Sequence, residues 1–169
     1  MNKIKISALS ERSLVSVQFS LLMALAIVVP LFHSQYVTGP IVNAALFLAA
    51  ILTGSAAALF IAMVPSVVAM STGLLPAVLA PAIPFIMLSN AILVAVFYAL
   101  RKKSYWLAAI SAGLAKFIFL FGSSQLVVGL IPQKQAAMAA ASMLSYPQLI
   151  TAMIGAALAW GVLKGAKKI

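Results

Sequence analysis

The sequence predicts an all-α integral membrane protein with six transmembrane helices and both termini in the cytoplasm. Three observations carry that expectation. Hydrophobic residues fill 65% of the 169 positions and charged residues only 7%, against roughly 45–50% and about 25% in a soluble domain. Positions 41–100 hold no charged residue at all. The basic residues gather in three clusters, and six crossings place all three on one side of a bilayer.

A crossing helix needs about 20 apolar residues. The first run, 14–32, follows Lys3, Lys5 and Arg12. It is long for the core of a signal peptide, and the small pair Ala24 and Ala26 lies in mid-run, so it reads as a retained helix. The polar stretch from His33 through Gln35, Tyr36, Thr38, Gly39 and Pro40 forms the first outer loop. Within the uncharged stretch, Gly54-Ser55 and then Ser71-Thr72-Gly73 with Pro76, Pro81 and Pro84 mark spans at 41–55, 56–71 and 82–100. Arg101-Lys102-Lys103 closes that stretch. The run 105–126 carries one charge, Lys116. A Gln-, Ala- and Ser-rich stretch with Pro132 and Lys134 separates it from the last span, 147–164, which ends at Lys164, Lys167 and Lys168. Residues 1–169 thus read as a single membrane domain. With six spans, nine of the 11 basic residues lie on the cytoplasmic side; Lys134 lies outside and Lys116 within the membrane.

Proline removes a backbone donor and disfavours helix just before it. Irregular backbone survives at membrane depth only inside protein or beside a water-filled cavity. Residues 71–81 are therefore an outer loop or a re-entrant segment. It is either a pocket wall or a plain connection. Small residues at four-residue spacing, such as Ala58/Ala62, Ala108/Ala112 and Gly155/Ala159, let helices approach closely. The pair Ser20/Ala24 on span one is the candidate face for docking another membrane protein.

Several chemistries are excluded. Glu11 is the sole acidic residue, so paired-carboxylate and two-metal mechanisms lack their groups. One histidine and no cysteine leave no zinc ligand set. No GxxxxGK[ST] phosphate loop occurs. The expectation is a chain that is not an enzyme, uses no cofactor, binds no nucleic acid and contacts membrane lipid.

Lys116 lies 12 residues beyond Ser104, roughly 18 Å of helix rise from the inner surface. A charge at that depth usually faces a cavity or a partner. No acid is available inside the membrane to pair with it. It is then an uncharged amine, a cation held by carbonyls or a polar cluster, or a cation whose counter-ion comes from a ligand or another protein. Asn90 sits at a similar depth in span four and Asn43 near the outer end of span two. Gln125, Tyr146 and Gln148 lie near the outer ends of the last two spans, and Tyr36 lies in the first outer loop. Polar groups thus collect on the outer half. The candidate substrate-binding set is Lys116, Asn90, Asn43, Gln125, Tyr146, Gln148 and Tyr36. Tyr105, Trp106 and Trp160 read as interfacial anchors, and Phe85, Phe97, Phe117, Phe119 and Phe121 as core or lipid-facing.

The small-residue first helix, Ser20-Leu21-Leu22-Met23-Ala24-Leu25-Ala26, the run Gly39-Pro40-Ile41-Val42-Asn43-Ala44 and the later Pro84-Phe85-Ile86-Met87-Leu88-Ser89-Asn90 give the chain a family character. With its length and six spans, it resembles the S components of energy-coupling factor (ECF) transporters over nearly its whole length. That resemblance implies capture of a vitamin-like or other small micronutrient on the outer side. Uptake would follow in a complex with a transmembrane T subunit and two cytosolic ATPases. It implies an alanine-rich docking face on the first helix, where Ser20 here replaces the first alanine. It also implies a ligand held by the later helices under outer loops, here 33–40 and 71–81. Nickel and cobalt relatives carry a histidine near the N-terminus, which Met1-Asn2-Lys3 lacks. Lys116 favours a substrate with a carboxylate or phosphate. Two rival readings stand beside this one: a small channel or passive facilitator with Lys116 in its pore, and a structural subunit of a membrane complex.

Overall fold

The computed structural model describes residues 2–32, 34–73 and 75–169, with side chains from Glu11 onward. His33, assigned above to the outer loop, lies outside the described residues. Among those residues the fold is all-helical: α1 (Asn2–Val28), a 3-10 turn (Val29–Phe32), α2 (Gln35–Leu52), α3 (Ser55–Ser71), a 3-10 turn (Ala77–Ala82), α4 (Ile83–Leu100), α5 (Tyr105–Gly129), α6 (Lys134–Met143) and α7 (Pro147–Gly165). Five segments are long and apolar enough to cross a membrane: Glu11–Phe32, Gln35–Leu52, Ala77–Leu100, Tyr105–Gly129 and Lys134–Gly165. This is the architecture of a multi-pass membrane protein. Ser55–Ser71 is a shorter apolar helix of 17 residues.

Short connections reverse the chain between α2 and α3 and between α4 and α5. Gly54, at φ 90°, makes the turn from α2 to α3, a conformation that glycine adopts without a Cβ penalty. Helices α2 and α7 run parallel, since Gly39 meets Thr151 and Gly155 meets Asn43. Helices α4 and α5 run antiparallel, since Phe97 meets Tyr105 edge-on while Asn90 bonds Lys116. Helices α2, α4 and α7 therefore begin at one end of the bundle, here the cap end, where α3 and α5 finish. Arg101-Lys102-Lys103 and Lys164, Lys167 and Lys168 lie at the opposite, basic end.

The main core joins α1, α2, α3, α4, α5 and α7 around Phe47 and Phe97, whose rings meet edge-on at 4.8 Å. The Tyr105 hydroxyl donates to the Ala156 carbonyl at 2.6 Å, tying the start of α5 to α7. At the basic end Trp106 and Trp160 pack at 5.9 Å, and Lys164 Nζ stands 4.6 Å over the Trp160 ring. An aromatic pair beside basic residues is the composition of a membrane interface. A second core forms the cap: Leu75, Leu79 and Ala82 pack with Leu120, Val127 and Ile131 of the α5 region and with Ala137, Ala140 and Leu144 around α6.

The structure moves three boundaries. The second span begins at Gln35 instead of 41, with Pro40 inside the helix. Ser34 is the break: its carbonyl accepts from the Val37 and Thr38 amides, and the Thr38 hydroxyl donates to the Val29 carbonyl at 3.2 Å. Pro40 then costs the second turn one backbone bond, which the packed bundle tolerates. Residues 35–40, expected in the first outer loop, are thus the first turns of α2. The connection after α5 holds a helix, α6, and Leu75 and Leu79 of the expected outer segment pack into the cap core, with a 3-10 turn starting at Ala77.

Candidate functional site

The α2–α7 crossing builds one wall of the site. A Cβ on Gly155 would stand 2.7 Å from Asn43 Cβ, 2.8 Å from the Pro40 carbonyl oxygen and 2.9 Å from the Ala44 nitrogen. Only glycine lets these backbones come so close. Asn43 is pressed against α7, and its Nδ2 donates to Thr151 Oγ1 at 3.4 Å. The Thr151 hydroxyl in turn donates to the Gln148 carbonyl at 3.2 Å.

The opposite wall comes from α3 and α4. Pro65 lacks an N–H and crowds the carbonyls one turn before it. On that turn the Ala62 carbonyl accepts from Asn90 Nδ2 at 3.2 Å. Both amides are buried, and these tethers turn both Oδ1 atoms to the same point. That point is Lys116 Nζ, which donates to Asn43 Oδ1 and to Asn90 Oδ1, each at 2.8 Å. Lys116 lies on the inward stripe of α5 with Ala109, Ala112, Leu120, Ser123 and Val127 and is only 3% exposed.

Lys116 therefore sits in a polar cluster, where two amide oxygens accept from its amine. Hydrogen bonds to a charged donor contribute about 1.5–3 kcal/mol each. Removing an ammonium from water costs several kcal/mol even after relaxation. Two neutral amide oxygens offset much of that but cancel no charge. Glu11 is the chain's only acid, and it precedes the apolar run of α1.

Lys116, Asn43 and Asn90 form the floor of a cavity of about 300 Å³. Its walls are Val42 of α2, Pro65, Ser66 and Ala69 of α3, and Ile86 of α4. Toward the cap end it is bounded by Gln35, Leu75, Met143 and Gln148. Gln35 Nε2 and Gln148 Nε2 both donate to the Met143 carbonyl, at 3.1 and 2.9 Å. They fasten the end of α6 across the first turns of α2 and α7.

Four of the seven residues singled out from the sequence meet at this cavity: Lys116, Asn43, Asn90 and Gln148. The other three do not. Gln125 is exposed, because nine residues beyond Lys116 amounts to about 180° of helix rotation. Tyr36 and Tyr146 are 64% and 62% exposed and stand outside the lining. Ser20 and Ala24 face outward from the bundle, while Leu22 and Ala26 face inward. Sequence reading missed Thr151, Ser66 and the α6 strap. Thr151 gives little signal, because threonine in a helix commonly bonds its own preceding turn. The spacing Gly39/Asn43 against Thr151/Gly155 is the clue that was present. Comparison with protein-family models, with curated proteins and with solved structures finds no match.

Proposed function

We propose that this chain is the substrate-binding membrane subunit of an ECF-type transporter, capturing a small anionic micronutrient for ATP-driven uptake by partner subunits. The carrying observation is Lys116: a buried amine on a cavity floor, bonded to two amide oxygens, with no acid beside it. An anionic ligand supplies the missing charge. A membrane-embedded cation without an internal partner marks a ligand or ion site. The lack of a nucleotide-binding loop fits a subunit whose energy comes from elsewhere.

In this reading the chain crosses the cell membrane six times, with the basic end and both termini in the cytoplasm. The 17 residues of Ser55–Ser71 rise about 25 Å, at the short limit for a span. The cavity then lies in the outer half, under the α6 strap. The outward pair Ser20/Ala24 is the face offered to a membrane-embedded T subunit.

The test is co-purification and transport. A tagged chain drawn gently from its native membrane should bring a transmembrane partner and nucleotide-binding subunits with it. Proteoliposomes of that complex should take up ligand only with ATP. Downhill flux through the purified chain alone would contradict the proposal and favour a facilitator.

A further inference from the structure

We infer that the cavity takes a monocarboxylate with an extended apolar body and a hydrogen-bond donor at its far end; this rests on the transporter-subunit reading above and names its substrate class. Charge comes first. Lys116 is the one charged side chain among the lining residues. A single negative charge cancels it. A phosphate monoester carries about −1.5 to −2 at neutral pH, leaving surplus charge in an apolar chamber without a second cation.

The donors agree. Two of the three ammonium hydrogens of Lys116 are committed to Asn43 and Asn90. Each amide nitrogen has one hydrogen engaged, on Thr151 or on Ala62. The floor therefore has one ammonium N–H and at most one N–H from each amide to give. That inventory suits the two oxygens of a carboxylate. Beyond the floor the walls are mainly apolar, with Val42, Pro65, Ala69, Leu75 and Ile86, so the ligand's body is hydrocarbon-like.

The far end is set by Gln35 and Gln148. Both amides are oriented by the same acceptor, the Met143 carbonyl, which can bond their nitrogens but not their oxygens. Each amide then keeps its oxygen and one N–H to meet a ligand. The two oxygens take an N–H or O–H of the ligand there, and the two remaining N–H groups leave room for an acceptor beside it. Gln35 stands eight residues from Asn43, about 12 Å of helix rise, which sets the length between the two polar ends.

The experiment is isothermal titration of the purified full chain in detergent micelles with four probes: 6-acetamidohexanoate, its methyl ester, hexanoate and 6-acetamidohexyl phosphate. The carboxylate amide should bind about tenfold or more tighter than the ester and the phosphate, and several-fold tighter than hexanoate. In Lys116→Met the acid should lose its advantage over the ester. Equal or tighter binding of the ester or the phosphate by the wild-type chain overturns the inference, whether or not the variant folds. Binding of hexanoate as tight as that of the amide overturns the far-end donor. If no probe binds, the substrate class is overturned. Co-purification then separates the failures: with partners present only the class falls, and without them the subunit reading falls too.

Discussion

Substituting Gly155 by alanine should loosen the site from its far wall. The added Cβ would sit 2.7–2.9 Å from Asn43 Cβ, the Pro40 oxygen and the Ala44 nitrogen, where ordinary contact begins at 3.4 Å. Two of those atoms are backbone and cannot rotate away. Helices α2 and α7 must separate by roughly half an ångström or more, and overpacking of this kind costs about 1–3 kcal/mol. Alanine in a helix returns about 0.5–1 kcal/mol through backbone entropy. The control is in the same helix: a Cβ on Gly161 meets nothing within 4 Å, so Gly161→Ala should gain only the propensity term. The difference between the two variants isolates the overlap and should be about 1–3 kcal/mol. The contact of Asn43 Nδ2 with Thr151, already 3.4 Å, should also break, removing the tether that aims the Asn43 oxygen at Lys116. Unfolding of both variants in mixed micelles, followed by far-ultraviolet circular dichroism, measures the gap. A Gly155→Ala protein as stable as Gly161→Ala would refute the close-approach argument.

Three further outcomes follow from the same geometry. Asn43→Asp should place a built-in counter-ion on Lys116 while Thr151, whose hydroxyl can donate, keeps the new carboxylate partnered; thermal stability should hold and affinity for an anionic ligand should fall about tenfold or more, read by titration. Asn90→Leu removes both the bond to Lys116 and the bond to the Ala62 carbonyl and should destabilise by about 1–2 kcal/mol in the same unfolding assay. The chain has no native cysteine, so single cysteines report topology directly: Gln133→Cys should react with an impermeant maleimide in intact cells, and Ser104→Cys only after permeabilisation.

The helices were legible because lipid imposes long apolar runs and charge clusters mark their ends; Arg101-Lys102-Lys103 and Lys164 stop α4 and α7 where the charges say. Depth was legible for Lys116 and Asn90, whereas Asn43, expected near the outer end of its span, lies two turns into α2 because that helix begins at Gln35. Rotational phase decides Gln125, which lies toward the outer end of α5 but half a turn from Lys116 and is exposed. Tyr36 and Tyr146 had suitable depth, but each is exposed beside the cavity. Pro40 read as the end of a loop, because a lone proline does not reveal that Ser34 is the stronger break. Helix α6 was illegible as a span because it has only 10 residues. Its role depends on one carbonyl, at Met143, which no side-chain pattern announces.

The most direct test of the account is native mass spectrometry of the wild-type chain beside Lys116→Met, both purified gently from cells grown in the same rich medium. The account predicts a small acidic molecule of a few hundred daltons retained by the wild-type chain and absent from the variant, with both chains folded by circular dichroism. Equal retention by the two, or a bound species without an acidic group, would contradict the claim that Lys116 holds an anionic ligand in this cavity.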